Sequence, residues 1–154
     1  GLVTETTGTC LTVATTLAAP DFYNPAKPCL YRHFDHSFAC LTYSPTAGGF
    51  LAGRYRRDSV IEAGSRFAAV SAYKTQYWKE DNFRFVDVFE AHCRQRGVGM
   101  ADMAIAWVAS HPVVTAPIIG VHTLDHLEQA LRALTIKLTP QERDEVAALG
   151  QAAG

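Results

Sequence analysis

Apolar positions along the chain fall into blocks of two kinds, short runs that stop at glycine or proline and longer stretches with helical spacing. "CLTYS" at residues 40–44 and "VVTAPIIG" at 113–120 are runs of the first kind and read as buried strands. Between them, "DNFRFVDVFEAHCRQRG" repeats Phe83, Val86, Phe89 and Cys93 on one face, with Asp81 as N-cap and Gly97 as left-handed terminator. "MADMAIAWVAS" is apolar nearly all round and stops before Pro112, which predicts a buried helix. Beyond the second strand, Thr123 is the natural N-cap of a helix whose buried face would be Leu124, Leu127, Leu131 and Leu134. The last helix opens on Thr139-Pro140-Gln141-Glu142, an N-cap, a first-turn proline and a capping-box glutamate, and Gly150 is its expected end.

The N-terminal quarter is less patterned. "TCLTVATTL" has the β-branched content of a strand, "NPAKP" is a turn, and Leu30, Phe34, Phe38 and Leu41 have the spacing of a helix of about 10 residues. Residues 56–80 form a polar, irregular connection, long enough to suggest a functional or mobile loop. The order strand, loop, helices, strand, loop, helix predicts an α/β fold with parallel strands, in a single domain over residues 1–154.

Composition narrows the function class. Of the 154 residues, 48% are hydrophobic, and 14 Lys and Arg stand against 15 Asp and Glu, which suits a globular domain and lacks the positive face of a nucleic-acid binder. No apolar window reaches the roughly 18 residues of a membrane helix, and the first residues lack the basic start of a signal peptide. Four cysteines at positions 10, 29, 40 and 93, with no CxxC pair, read as reduced thiols of a cytoplasmic protein.

In α/β folds ligands sit beyond the carboxyl ends of the strands. The first strand ends in Ser44-Pro45-Thr46-Ala47-Gly48-Gly49, where glycine permits close backbone approach and exposed N–H groups suit an anion. The second ends at Gly120, just before the helix N-terminus at Thr123, with His122 and His126 flanking it. Together the two termini would hold a phosphate-bearing ligand; on spacing alone, glycines that only make turns and solvated histidines explain the pattern as well. Cys29, His33, His36 and Cys40 are metal-ligand types, but on a helix they span about 16 Å, too far for one ion. His92 and Cys93 read as packing rather than as a catalytic pair.

The segment "YSPTAGGFLAGRY" resembles the "YSPLAGGxLTGKY" segment after the seventh strand of aldo-keto reductases. "GSRF", "YKTQYWKEDNF", "GVGMADMAIAWVASHPVVTAPIIGVHTLDHLEQAL" and "LTPQE" follow in that superfamily's order, the YWKE portion being most similar to its aflatoxin-aldehyde-reductase branch. The likeness runs from about Leu41 to Gly150, leaving residues 1–40 divergent apart from an echo of the sixth strand in "FYNP". It implies a (β/α)8, TIM-type barrel of typically 250 residues or more, of which this chain supplies about half, as a half-barrel with parallel strands. It also implies NADPH as cofactor. Tyr43 would stack on the nicotinamide, and Ser44, Thr46 and Gly48 would surround the pyrophosphate. Arg54 occupies the lysine position of "TGKY" and Arg66 the arginine of "GRF". Gly120, His122, Thr123, His126 and Gln129 match the segment around the adenosine 2′-phosphate.

The chain departs from the family there. His122 and His126 replace cationic or amide-bearing residues, Ala130 replaces an asparagine, and Gln76 stands where an arginine is common, each change weakening phosphate recognition. The family's catalytic Asp, Tyr, Lys and His belong to its first four strands, so no catalytic residue is assigned. A half-barrel exposes strand edges, which predicts a homodimer or a complementary barrel half as partner. Three readings follow: a truncated relative that keeps a NADP(H)-binding face and acts on carbonyl compounds, a small cofactor-independent hydrolase using the histidines, or a non-catalytic pseudoenzyme working by association.

Overall fold

The computed structural model describes residues 41–69, 74, 75, 77–112 and 114–152. The expectations for residues 1–40, the threonine-rich strand, the Leu30–Phe38 helix and the Cys29/His33/His36/Cys40 set, lie outside the described residues, as does Gln76.

Strand β1 (Leu41–Tyr43) pairs in parallel with β2 (Ala116–Ile118), in the register Leu41 to Ala116, Thr42 to Pro117 and Tyr43 to Ile118. Between them lie a 3-10 segment (Ala47–Ala52) and helices α1 (Arg66–Ala69), α2 (Glu80–Gln95) and α3 (Met100–Ala109); α4 (Leu124–Ala133) and α5 (Pro140–Ala152) follow β2. Parallel strands with helical crossovers are the architecture the sequence order predicts. The sheet turns one face inward through Thr42 and leaves Leu41, Tyr43 and Ile118 exposed on the other.

Helix α3 is the centre of the packing. Ala101 to Ala106 and Val108 are all buried, because the helix meets α2, α4, β2 and the 3-10 segment on different sides. Its small side chains permit the close approach. A second focus is aromatic. Phe50, fully buried, has Phe83, Phe67, Tyr77, Tyr55 and Trp78 around it with ring centroids 5.1 to 6.4 Å away. Three arms of chain, the 3-10 segment, the connection to α1 and the start of α2, are joined through that one ring.

The local signals at the helix ends hold with two exceptions. Thr139 and Glu142 form a reciprocal capping box, the Glu142 amide donating to Thr139 Oγ1 at 3.2 Å and the Thr139 amide donating to Glu142 Oε2 at 2.8 Å. Those amide and hydroxyl bonds, with Arg96 behind them, hold the Glu142 carboxyl down to about 2. Gly97 takes the left-handed conformation after α2 (φ 65°). Asp81, however, is not the N-cap of α2: the helix opens two residues earlier, with Lys79 at the cap and Asp81 already inside, paired with Arg84. Gly150 does not end α5, which continues to Ala152.

The larger correction concerns α4. Leu124, Leu127, Leu131 and Leu134 are not its buried face but are 77%, 43%, 54% and 56% exposed. Ala130 and Ala133 are buried instead, against Ile105 of α3, with Asp102 and Arg132 3.6 Å apart beside them. Alanine brings the two helix axes close where leucine would hold them apart, so the small stripe wins the contact with the alanine-rich α3.

The corner between α3 and α5 buries polar groups. Arg143 Nη1 donates to the Ser110 carbonyl at 3.2 Å, and Trp107 Nε1 donates to the Arg143 carbonyl at 3.0 Å. His111 is buried beside them, and burial first, then the Arg143 charge, pushes its imidazole from 6.5 down to about 3.

Two predictions follow from these cores. Phe50→Ala removes the shared ring and is expected to cost about 3–5 kcal/mol in urea denaturation, because neighbours on three segments cannot all collapse into the space. The His111 imidazole is neutral in both folded and unfolded chains above pH 6.5 and affects neither. As pH falls from 6.5 toward 3 the unfolded chain takes up a proton that the folded chain refuses, so stability drops across that window. Between pH 6.5 and 4.5, above the range in which Glu142 contributes a slope of its own, His111→Asn is expected to flatten the fall in urea midpoint.

Candidate functional site

The parallel register sets the carboxyl ends of β1 and β2 side by side, so the segments that follow them open at one end of the sheet. After β1 the chain makes a compact loop in which Ser44 (φ 54°), Ala47 (φ 50°), Gly48 (φ 68°) and Gly49 (φ 101°) all have left-handed backbones. Glycine reaches this region freely, whereas for serine and alanine it costs of order 1 kcal/mol each and is kept only where surroundings enforce it. Ala47 and Phe50, both fully buried, anchor the loop from the far side. The loop also closes on itself, the amides of Ala47, Gly49 and Leu51 donating to the carbonyls of Ser44 and Thr46 at 2.8 to 3.0 Å. Those three amides are therefore committed within the loop and are not among the exposed N–H groups that suit an anion.

Tyr43 ends β1 on the open face of the sheet, half exposed, with Ile118 opposite it on β2. Thr46 precedes the 3-10 segment without a side-chain cap. Arg54 returns to the loop: its amide donates to the Gly49 carbonyl at 3.2 Å, and its stem passes so close that a Cβ at residue 49 would stand 2.8 Å from Arg54 Cδ. Gly49 is thus the glycine that the Arg54 crossing requires. The doubled glycine was the available signal; which of the two carries the close approach depends on a contact the sequence does not encode locally.

The next residues clamp this loop to α2. Arg56 bonds Glu90 at 2.9 Å, and Arg57 bonds Glu80 at 2.9 Å and Asp87 at 2.7 Å while its guanidinium lies 5.7 Å from the Phe83 ring centre. Hydrogen bonds to Asp87 and then Glu80 raise the Arg57 guanidinium above its ordinary value. Sequence reasoning missed both arginines, although "RYRR" followed by an acidic helix carried a signal of charge pairing. Arg66 opens α1.

On the β2 side, Gly120 does not have a left-handed backbone, and a Cβ there would meet nothing within 4 Å. Thr123 caps α4 as expected, its hydroxyl accepting the His126 amide at 3.2 Å. That bond draws His126 back toward His122, and the two imidazoles lie edge to face with centroids 6.4 Å apart. His122 is exposed and His126 half-buried, and Gln129 follows one turn along α4, also half-buried. The structure therefore brings His122, Thr123 and His126 together, and brings Arg54 onto the Gly48-Gly49 loop.

Chemistry elsewhere is structural. Cys93 is buried in the core, where desolvation pushes its thiol up to about 12, which leaves it a packing residue beside His92. Among the described residues no three His, Cys, Asp or Glu side chains group to hold a metal ion, and no helix is long and apolar enough to cross a membrane.

The Aldo/keto reductase family profile matches residues 23–151. The chain is 31% identical over 141 residues to an aldo-keto reductase of Pseudocercospora fijiensis, covering 80% of this chain and 48% of that protein. It is 32% identical over 108 residues to versiconal hemiacetal acetate reductase of Aspergillus parasiticus (70% and 31%), and 31% identical over 120 residues to aflatoxin B1 aldehyde reductase member 2 of Mus musculus (69% and 32%). This chain therefore belongs to the aldo/keto reductase family. It spans between about a third and a half of the length of these relatives. The family match also reaches back to Tyr23, beyond the Leu41 start of the resemblance read from motifs.

Three substitutions test the geometry. Gly49→Ala, which combines φ 101° with the Arg54 contact, is expected to destabilise the chain by about 1–2 kcal/mol, and Gly120→Ala to leave its thermal midpoint unchanged. Thr123→Ala removes the α4 cap and is expected to cost about 1 kcal/mol by the same measurement.

Proposed function

We propose that this chain is the cofactor-binding half of an aldo-keto-reductase barrel and takes a nicotinamide dinucleotide, NADPH by preference, across the mouth between the Ser44–Gly53 loop and the start of α4. The single observation behind this reading is the parallel β1/β2 register, which sets the strained loop and a helix N-terminus at the same end of one sheet.

The residues present fit such a group. Tyr43 offers an exposed ring beside the loop for stacking on the nicotinamide. Ser44, Thr46 and Gly48 shape a preorganised turn for the pyrophosphate, and Arg54, anchored at Gly49, adds a permanent cation at its rim. His122, Thr123, His126 and Gln129 serve the adenosine phosphate at the positive end of α4, with Arg66 contributing from α1. Gly120 leaves open space where a bulkier residue would stand. When bound, the cofactor supplies hydride for a carbonyl carbon. This chain's own residues bind and orient it.

Histidines at 122 and 126 make the phosphate end weaker than a pair of permanent cations would. The expected outcome is NADPH binding detectable by fluorescence, weakened several-fold by Tyr43→Ala. His122→Arg is expected to tighten NADPH by about tenfold, a gain of about 1.4 kcal/mol, while leaving NADH unchanged. Equal tightening of both nucleotides would place residue 122 away from the 2′-phosphate, and undetectable binding of either would end the proposal.

A further inference from the structure

Arg57 stands where the Ser44–Gly53 loop gives way to the irregular connection that leads to α1. Its backbone is held by a closed turn, in which the Ser59 amide donates to the Arg56 carbonyl at 3.1 Å and the Arg56 amide donates to Ser59 Oγ at 2.7 Å. Residues 58–64 beyond form no helix or strand and are mostly exposed. On α2, Glu80 and Asp87 are two helical turns apart and share one face with Phe83 between them. Both carboxylates close on one guanidinium, Arg57 Nε donating to Glu80 at 2.9 Å and Nη1 to Asp87 at 2.7 Å, with the Phe83 ring centre 5.7 Å away. The same Phe83 ring lies 5.1 Å from Phe50, the anchor of the loop. We propose that Arg57 is a positioning residue of the cofactor site, a latch that holds the loop in its binding shape by fixing its exit on α2, a role that rests on the dinucleotide reading of that loop.

The loop needs such a hold at its exit. Ala47 and Phe50 anchor its middle in the core, but it ends on Gly53 (φ 73°), the residue type whose backbone turns most freely. Buried Tyr55 ties the next stretch inward, and Arg57 fixes it from the solvent side. Two carboxylates and a ring face constrain a planar guanidinium in direction as a single ion pair would not. Arg56 is a weaker hold, because its partner Glu90 also faces Arg94 at 3.5 Å. All three charged groups of the Arg57 latch are about half exposed, so losing it costs the fold little and the loop's shape more. Exposure also makes the latch sensitive to salt.

Hydrogen exchange on the full chain reads the latch without any ligand. In Arg57→Gln the Gly49, Leu51 and Arg54 amides, which donate within the loop, are expected to exchange about tenfold faster, with α3 amides and the thermal midpoint unchanged. Asp87→Asn combined with Glu80→Gln is expected to do the same from the α2 side. Raising NaCl from about 0.05 to about 0.5 M is expected to speed those loop amides in the unmodified chain and not in Arg57→Gln. In fluorescence titrations Arg57→Gln is expected to weaken NADPH and NADH by the same factor, about fivefold, since the loop serves the part the two nucleotides share; Arg57→Lys, which keeps the charge without the fork, falls between. Unchanged loop exchange in Arg57→Gln overturns the proposal, as does exchange that quickens equally in α3, or faster loop exchange with both affinities unchanged. Failure of the cofactor reading shows separately, as an unmodified chain that binds neither nucleotide.

Discussion

The burial of Phe50 is the constraint on which the rest of this structure depends. With the buried Ala47 and the half-buried Leu51 beside it, its ring ties the Tyr43–Gly53 loop to the core, and it is ringed by aromatic side chains from two later segments. Serine and alanine do not hold left-handed backbones unaided, so the conformations at Ser44 and Ala47 are an expense carried by the aromatic cluster. The site is therefore rigid because a residue on its far side is buried, and the clamp of Arg56 and Arg57 on α2 extends the same logic along the chain. Those surface ion pairs fix direction more than they add stability, since each is partly exposed.

Helix α3 plays the matching role for the second half of the site. Its alanines admit α4 at close range, and that approach sets where Thr123 caps the helix and hence where His122 and His126 stand. The mouth between the two strand ends is thus positioned by two cores of different character, one aromatic and interlocked, the other built of small side chains. Changes in either core would reach the site as displacements of a loop or a helix start, without touching a ligand-facing residue.

Much of this was legible in the sequence where the determining interactions are local. The Thr139/Glu142 box, the Thr123 cap, the left-handed Gly97 and the wholly buried α3 all rest on residues within a turn or two of one another, and all are found. The parallel pairing of the two strands was legible from element order. What escaped depends on neighbours distant in sequence. Asp81 lost the cap because α2 begins at Glu80, after the aromatic turn that fixes Tyr77 and Trp78 in the core. The α4 leucines have every mark of a buried face, and only the alanines of α3, some thirty residues earlier, decide that Ala130 and Ala133 take that place. The motif resemblance supplied the family, but from residue 41 onward, while the family match reaches residue 23.

A parallel sheet is normally covered on both faces, because its strands carry apolar side chains to each. Here Thr42 turns toward the helices while Leu41, Tyr43 and Ile118 remain open, and α4 adds a second apolar surface on its own. These two surfaces differ in what they suit. The sheet face lies directly beside the strained loop and contains the ring of Tyr43, so an aromatic, partly polar ligand that enters at the strand ends would cover it in part. The leucine seam holds no polar side chain, so an apolar surface is what would cover it.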